Sequence, residues 1–151
     1  MPLRVPQTHI AVGLIALLLA ILLLGLWVRW PTQRTTYRPY VLTSFQQSYR
    51  TAQHAHESWH REPTTVALRI AGYPNPDGIP PTNIAVHFPT PDTAIVIVTA
   101  SQLMDDSLAA REVRVDLFRH DQEWMVEWAG QRVRCRRDLF GALWWQTGPC
   151  P

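Results

Sequence analysis

From Ile10 to Val28 the chain reads IAVGLIALLLAILLLGLWV, nineteen residues that are all apolar or Gly. No other feature constrains the fold as strongly. A helix rises about 1.5 Å per residue, so this run covers roughly the 30 Å hydrocarbon thickness of a bilayer. Hydrocarbon offers the backbone no partners, so a spanning run must satisfy its own N–H and C=O groups as a helix. Trp27 and Trp30 flank the far end, where indoles favour the headgroup layer. Arg29 between them can reach phosphates along its apolar stem. A cleaved leader carries a shorter core, about 7–15 residues, and then a small-x-small site. Leu26-Trp27-Val28-Arg29-Trp30 has no such site, and no Cys directly follows the run. The expected organisation is a tail at 1–9, a transmembrane helix at 10–30, a polar linker at 31–38 and one domain at 39–151 held at the lipid bilayer.

The domain changes period along its length. Pro39 suits a first helical turn, where its missing N–H costs nothing. Val41, Phe45, Tyr49, Ala52 and Trp59, with Ser48 and His56, then recur at helical spacing. Pro63 forbids continuation, so this helix is expected to end near Arg61. Val66, Leu68 and Ile70 alternate, which predicts a strand over 65–71. Residues 72–82 hold four of the 13 prolines and read as a loop. Further strands are expected at Ile84–Phe88, Ala94–Ala100 (apolar on both faces, hence interior) and Arg111–Arg119. On the next strand Trp124, Val126 and Trp128 are expected inward, Ala129-Gly130 makes a tight hairpin, and Val133 and Cys135 lie on the last strand. The fold class is α+β: one helix packed on a curled antiparallel sheet, by analogy a cystatin-like or nuclear-transport-factor-like cone.

Charge and composition exclude several functions. The net charge is +2 and the signs are mixed, so no basic face invites nucleic acid. All 14 basic residues are Arg, which excludes Schiff-base lysines and Lys-dependent phosphate loops. There is no G-x-G-x-x-G. Nothing implies a cofactor.

One motif carries chemistry. His56-Glu57-Ser58-Trp59-His60 matches H-E-x-x-H, and His54 lies nearby. On a helix, His56 and His60 would share a face and could ligate zinc, with Glu57 as base for a bound water. Against this, Arg61 and Glu62 follow where such helices carry uncharged residues. Pro63 leaves His60 in a terminal turn, and no later helix supplies a Glu ligand. The expected site therefore holds no metal, and a zinc-dependent hydrolase is the alternative function. Asp105 and Asp106 read as a solvated loop, Trp124 and Trp128 as core, and Arg132, Arg134, Arg136 and Arg137 as a solvated strand face that can also meet anionic headgroups.

Cys135 and Cys150 bracket a Gly/Pro-punctuated tail that needs a tether. The spacing is not C-x-x-C, and two cysteines alone do not close a zinc site. A structural disulfide is expected, and it implies an oxidising compartment. Arg29, Arg34 and Arg38 against Arg4 favour a cytoplasmic domain by positive charge alone. The cysteines tip the expectation to the extracytoplasmic side.

Arg69, Ala71-Gly72-Tyr73-Pro74, Asp105-Asp106-Ser107, Trp124-x-Val126-x-Trp128-Ala129-Gly130, Cys135, Trp145 and Cys150-Pro151 together resemble a family of uncharacterised single-pass, membrane-anchored bacterial proteins. The resemblance covers most of residues 66–151 and implies a fold and an anchored topology, not an activity. Where that family carries a Gly-Arg-Gly-like stretch, this chain has Asp138-Leu139-Phe140-Gly141. The expected function is a non-enzymatic, membrane-tethered module that binds a protein or small-molecule partner. The third reading is a small-molecule pocket inside the cone of sheet.

Overall fold

Alternation along Arg111–Arg119 demands a strand with one apolar and one charged face, and a computed structural model shows it as the centre of a five-stranded antiparallel sheet. Residues 33–54, 57–101, 103–137 and 143–150 are described, and within the apolar run only Leu17, Leu19 and Ala20, which are helical. Among the described residues no helix is long and apolar enough to cross a membrane. The expected span at 10–30 otherwise lies outside them. The chain forms two compact units, Met1–Gln33 and Arg34–Pro151.

The second unit is α+β. Its elements are β1 (Arg38–Pro39), α1 (Thr43–His54), α2 (Pro63–Ile70), β2 (Asn83–Thr90), β3 (Thr93–Ala100), β4 (Leu108–His120) and β5 (Glu123–Cys135). Strand order is β1-β5-β4-β3-β2. Interruptions of register at His87/Thr90, Leu108/Ala110 and Asp116/Leu117 bend the long strands and curl the sheet. Ala94, Val96, Val98, Val113, Val115 and Leu117 form the apolar face, all buried. They pack against Val66, Ala67 and Ala71 of the α2 segment.

Four expectations are corrected. Residues 65–71 are not a strand: Pro63–Ile70 is a helix with Pro at its first position. The buried residues Pro63, Val66, Ala67 and Ala71 recur at helical spacing, and that face wins over the Val66/Leu68/Ile70 alternation. Pro39 does not start a helix. It pairs with Gly130 on a sheet edge, where proline forfeits no interior ladder bond. The described part of the expected linker at 31–38 is ordered with the domain: Arg34–Thr36 is a 3-10 turn and Tyr37 is buried. Ala129-Gly130 is not a hairpin but lies within β5.

The bulge explains the sheet's last surprise. Asp116 pairs with Trp128, yet Leu117 pairs with Val126. The extra residue flips the alternation, so Trp124 and Val126 stay on the apolar face while Trp128 joins Asp116 on the charged one. The Trp128 ring then lies over Gly130, where a Cβ would stand 2.5 Å from the indole and 3.0 Å from the Arg38 carbonyl. Glycine is required there by close approach, not by a turn.

Candidate functional site

α1 is amphipathic because Leu42, Phe45 and Tyr49 fall at i, i+3 and i+7. It does not seal against the sheet. Leu42, Phe45, Gln46, Tyr49 and Arg50 on one side and Met125 and Val126 on the other line a half-open groove of about 260 Å³. That is just below the usual range for small-molecule pockets, roughly 300–1,000 Å³. Arg50 is exposed at the rim and has no ion pair among the described residues. Val66 and Ala67 cover the middle of the apolar sheet face, and the groove lies beside them where α1 meets β5.

The groove's wall is an aromatic cluster. Phe45, Tyr49 and Trp59 meet with centroids 5.6–6.4 Å apart, and Arg69 stacks 4.8 Å above the Trp59 ring. Edge-to-face pairs of this kind add about 0.5–1.5 kcal/mol each beyond burial. Behind them, Glu123 joins two elements. Tyr49 donates its phenol to Glu123 Oε2 at 3.2 Å, and His60 Nε2 lies 3.0 Å from Oε1. Burial, then the Glu123 charge and its hydrogen bond, push the Tyr49 phenol up to about 12.

This arrangement accounts for the H-E-x-x-H match. His56 lies outside the described residues. Glu57 and Ser58 are not helical, and Trp59–Arg61 is a 3-10 turn, which removes the helical face that the metal reading requires. The cause is Pro63: it holds Glu62 extended at φ −118°, ψ 119°, so the chain turns between two helices. Glu57 lies 4.0 Å from Arg69 and is half-exposed. His60 is 4% exposed, packed against Tyr49 and Trp59, with Nε2 taken by Glu123. Its Nδ1 is buried without a hydrogen-bond partner among the described residues. An imidazole so enclosed is a packing element and presents no base to the groove. Among the described residues no three His, Cys, Asp or Glu side chains are grouped to hold a metal ion.

The remaining candidates separate. Cys135 and Cys150 are joined with Cα atoms 5.4 Å apart. Gln146 pairs backbone to backbone with Val133, 2.8 Å in each direction, and its amide contacts the Cys135 sulfur. Asp105 accepts bonds from Ser107 N and Oγ at 2.8 and 2.7 Å. Those bonds hold its carboxyl below the usual range. Asp106 pairs instead with Arg137, so the two carboxylates act apart.

The charged sheet face is not solvated, which sequence reading missed. Glu112, Arg114 and Asp116 are all buried. Arg114 Nε donates to Asp116 at 2.7 Å and Arg132 Nε to Glu112 at 2.8 Å. From the segment before β1, Arg34 Nε donates to Asp116 and the Tyr37 hydroxyl to Glu112, each at 2.5 Å. Arg132 lies between two rings, 4.7 Å from Tyr37 and 4.8 Å from Trp145. The basic strip is therefore partly a stacking platform that joins the first and last segments of the domain.

Comparison with known proteins returns no matching family model, no matching curated protein and no matching solved structure.

Proposed function

We propose that the chain is a membrane-tethered binding module whose groove between α1 and β5 takes a small amphipathic ligand, with a ring-sized apolar body and an anionic head. The groove itself carries the reading. Phe45, Tyr49 and Val126 offer apolar walls, and Met125 supplies an adaptable, polarizable one. Arg50 stands at the rim with its charge uncommitted among the described residues. Recognition of this kind needs an apolar cleft and few polar groups. Tethering is supported by the nineteen-residue apolar run, and an extracytoplasmic domain by the Cys135–Cys150 bond.

The chain contains three methionines, Met1, Met104 and Met125, and of the two that are described Met125 alone lines the groove. The full chain in nanodiscs, labelled at methionine methyls, is titrated with phenylbutyrate and followed by NMR. The Met125 resonance shifts and saturates while exposed Met104 stays in place. Phe45→Ala abolishes the shift, and Arg50→Gln weakens the apparent affinity several-fold, as befits a surface charge worth about 1 kcal/mol or less. A Met125 resonance that never moves, or moves equally in both variants, overturns the reading.

A further inference from the structure

The tail between the two cysteines exposes two large apolar side chains on a backbone that is held in place. Leu143 is 72% and Trp144 70% exposed. Directly after them, Trp145 stacks under Arg132 and Arg134, 4.8 and 4.7 Å from their guanidinium carbons. Gln146 bridges to Val133, and Cys150 is bonded to Cys135. A fixed segment that turns Leu and Trp outward forgoes the burial such side chains otherwise gain. We infer that this Leu143–Trp144 tip seats in the headgroup layer of an anionic bilayer, the same bilayer that tethers the chain. The inference rests on the tethered reading above.

Three observations select a lipid surface over other occupants. The first is position. Arg132 stacks on Tyr37 as well as Trp145, so the tip adjoins the segment by which the chain leaves the domain toward its apolar run. Five residues separate Val28 from Arg34, a reach of about 20 Å when fully extended. The second is charge. Arg38 on the edge strand β1 and Arg136 directly after β5 are both exposed, and cations at the surface suit anionic headgroups. The third is chemistry. An indole next to Leu favours the layer between water and hydrocarbon, as Trp at membrane boundaries does. A covalent tether also supplies an effective concentration on the order of millimolar, so one indole and a few cations suffice where a free domain would dissociate.

The test uses the full chain with Trp27→Phe and Trp30→Phe, reconstituted in vesicles of phosphatidylcholine and phosphatidylglycerol that contain brominated phospholipid. Tryptophan emission reports contact with the bromine-bearing chains. The expected result is strong quenching, the larger part of which is lost in Trp144→Phe, with a smaller loss in Leu143→Ser. Quenching falls when phosphatidylglycerol is omitted. Both substitutions are at exposed positions, and an intact disulfide with unchanged near-ultraviolet dichroism certifies the fold. Unchanged quenching in Trp144→Phe, in a chain that resists carbonate extraction, overturns the inference and leaves the tether standing. Trp144-dependent cross-linking of two chains, with no loss of quenching, overturns it in favour of a second copy as the occupant. Extraction by carbonate removes the tether and the inference together.

Discussion

Tyr49 is the residue on which helix, sheet and groove converge. Its ring contacts Phe45 and Trp59, and its hydroxyl donates to Glu123. Removing the phenolic proton would place a second negative charge beside that carboxylate, on a ring that is itself buried. The folded pKa of about 12 therefore lies above the ordinary value near 10. Because the folded state holds this proton more tightly than the unfolded state, the resulting stabilisation is fully present below pH 10 and is lost as pH rises through 12. Titration of phenolate absorbance is expected to show one tyrosine ionising late, and Glu123→Gln to bring it down toward the ordinary range. A late tyrosine that ignores Glu123→Gln would assign the shift to burial alone. None of this was visible in the sequence. Tyr49 reads there as one more apolar position on a helix, and nothing along the chain pairs it with Glu123, 74 residues away.

At the scale of elements, the strands were legible where one face is apolar and the other charged. β4 follows the alternation of Val113, Val115 and Leu117 because a one-residue slip would turn the ionic set toward the apolar core. Ala94–Ala100 was legible as an interior strand because both faces are apolar. α2 was misread because Val66, Leu68 and Ile70 alternate, and a short period-two pattern favours a strand. Tertiary packing and the proline at its first position outweigh that weak preference. The small residues Ala67 and Ala71 on its buried face let the helix approach Val96 and Val98 closely. Ala67→Leu is accordingly expected to cost about 1–3 kcal/mol by overpacking, measured as a lowered midpoint in chemical denaturation. Arg69→Leu on the opposite face is expected to cost less, about 0.5–1 kcal/mol, because it removes only a half-exposed guanidinium from the Trp59 ring. The bulge at Trp128 was hidden for a different reason: an inserted residue leaves no compositional mark, and Gly130 reads as a turn when only its partner strand shows that it sits under an indole.

For the whole domain, the charged network is what fastens its two ends. Ion pairs that are this buried are costly to assemble and more costly to break on one side, so Arg34, Tyr37 and Trp145 hold their places only while the full set is present. The disulfide maintains that condition at the tail. Its loss in Cys135→Ser with Cys150→Ser is expected to lower stability by about 3 kcal/mol, the chain-entropy value for a loop of this length. Trp145 should also become open to proteolysis nearby before the sheet unfolds. Limited digestion against global melting separates the two events. A tail that stays resistant until the sheet melts would show that Arg132, Arg134 and the Gln146 bridge hold it unaided. The stacking of Tyr37 and Trp145 on one guanidinium has a mechanical corollary. Tension arriving through the amino-terminal connection meets the side-chain contacts of Arg34 and Tyr37, then the two-residue pairing of Arg38 and Pro39, before it reaches the long strands. Those outer contacts yield one at a time, so a pull on the amino-terminal segment is spent there before it reaches α1 and the sheet.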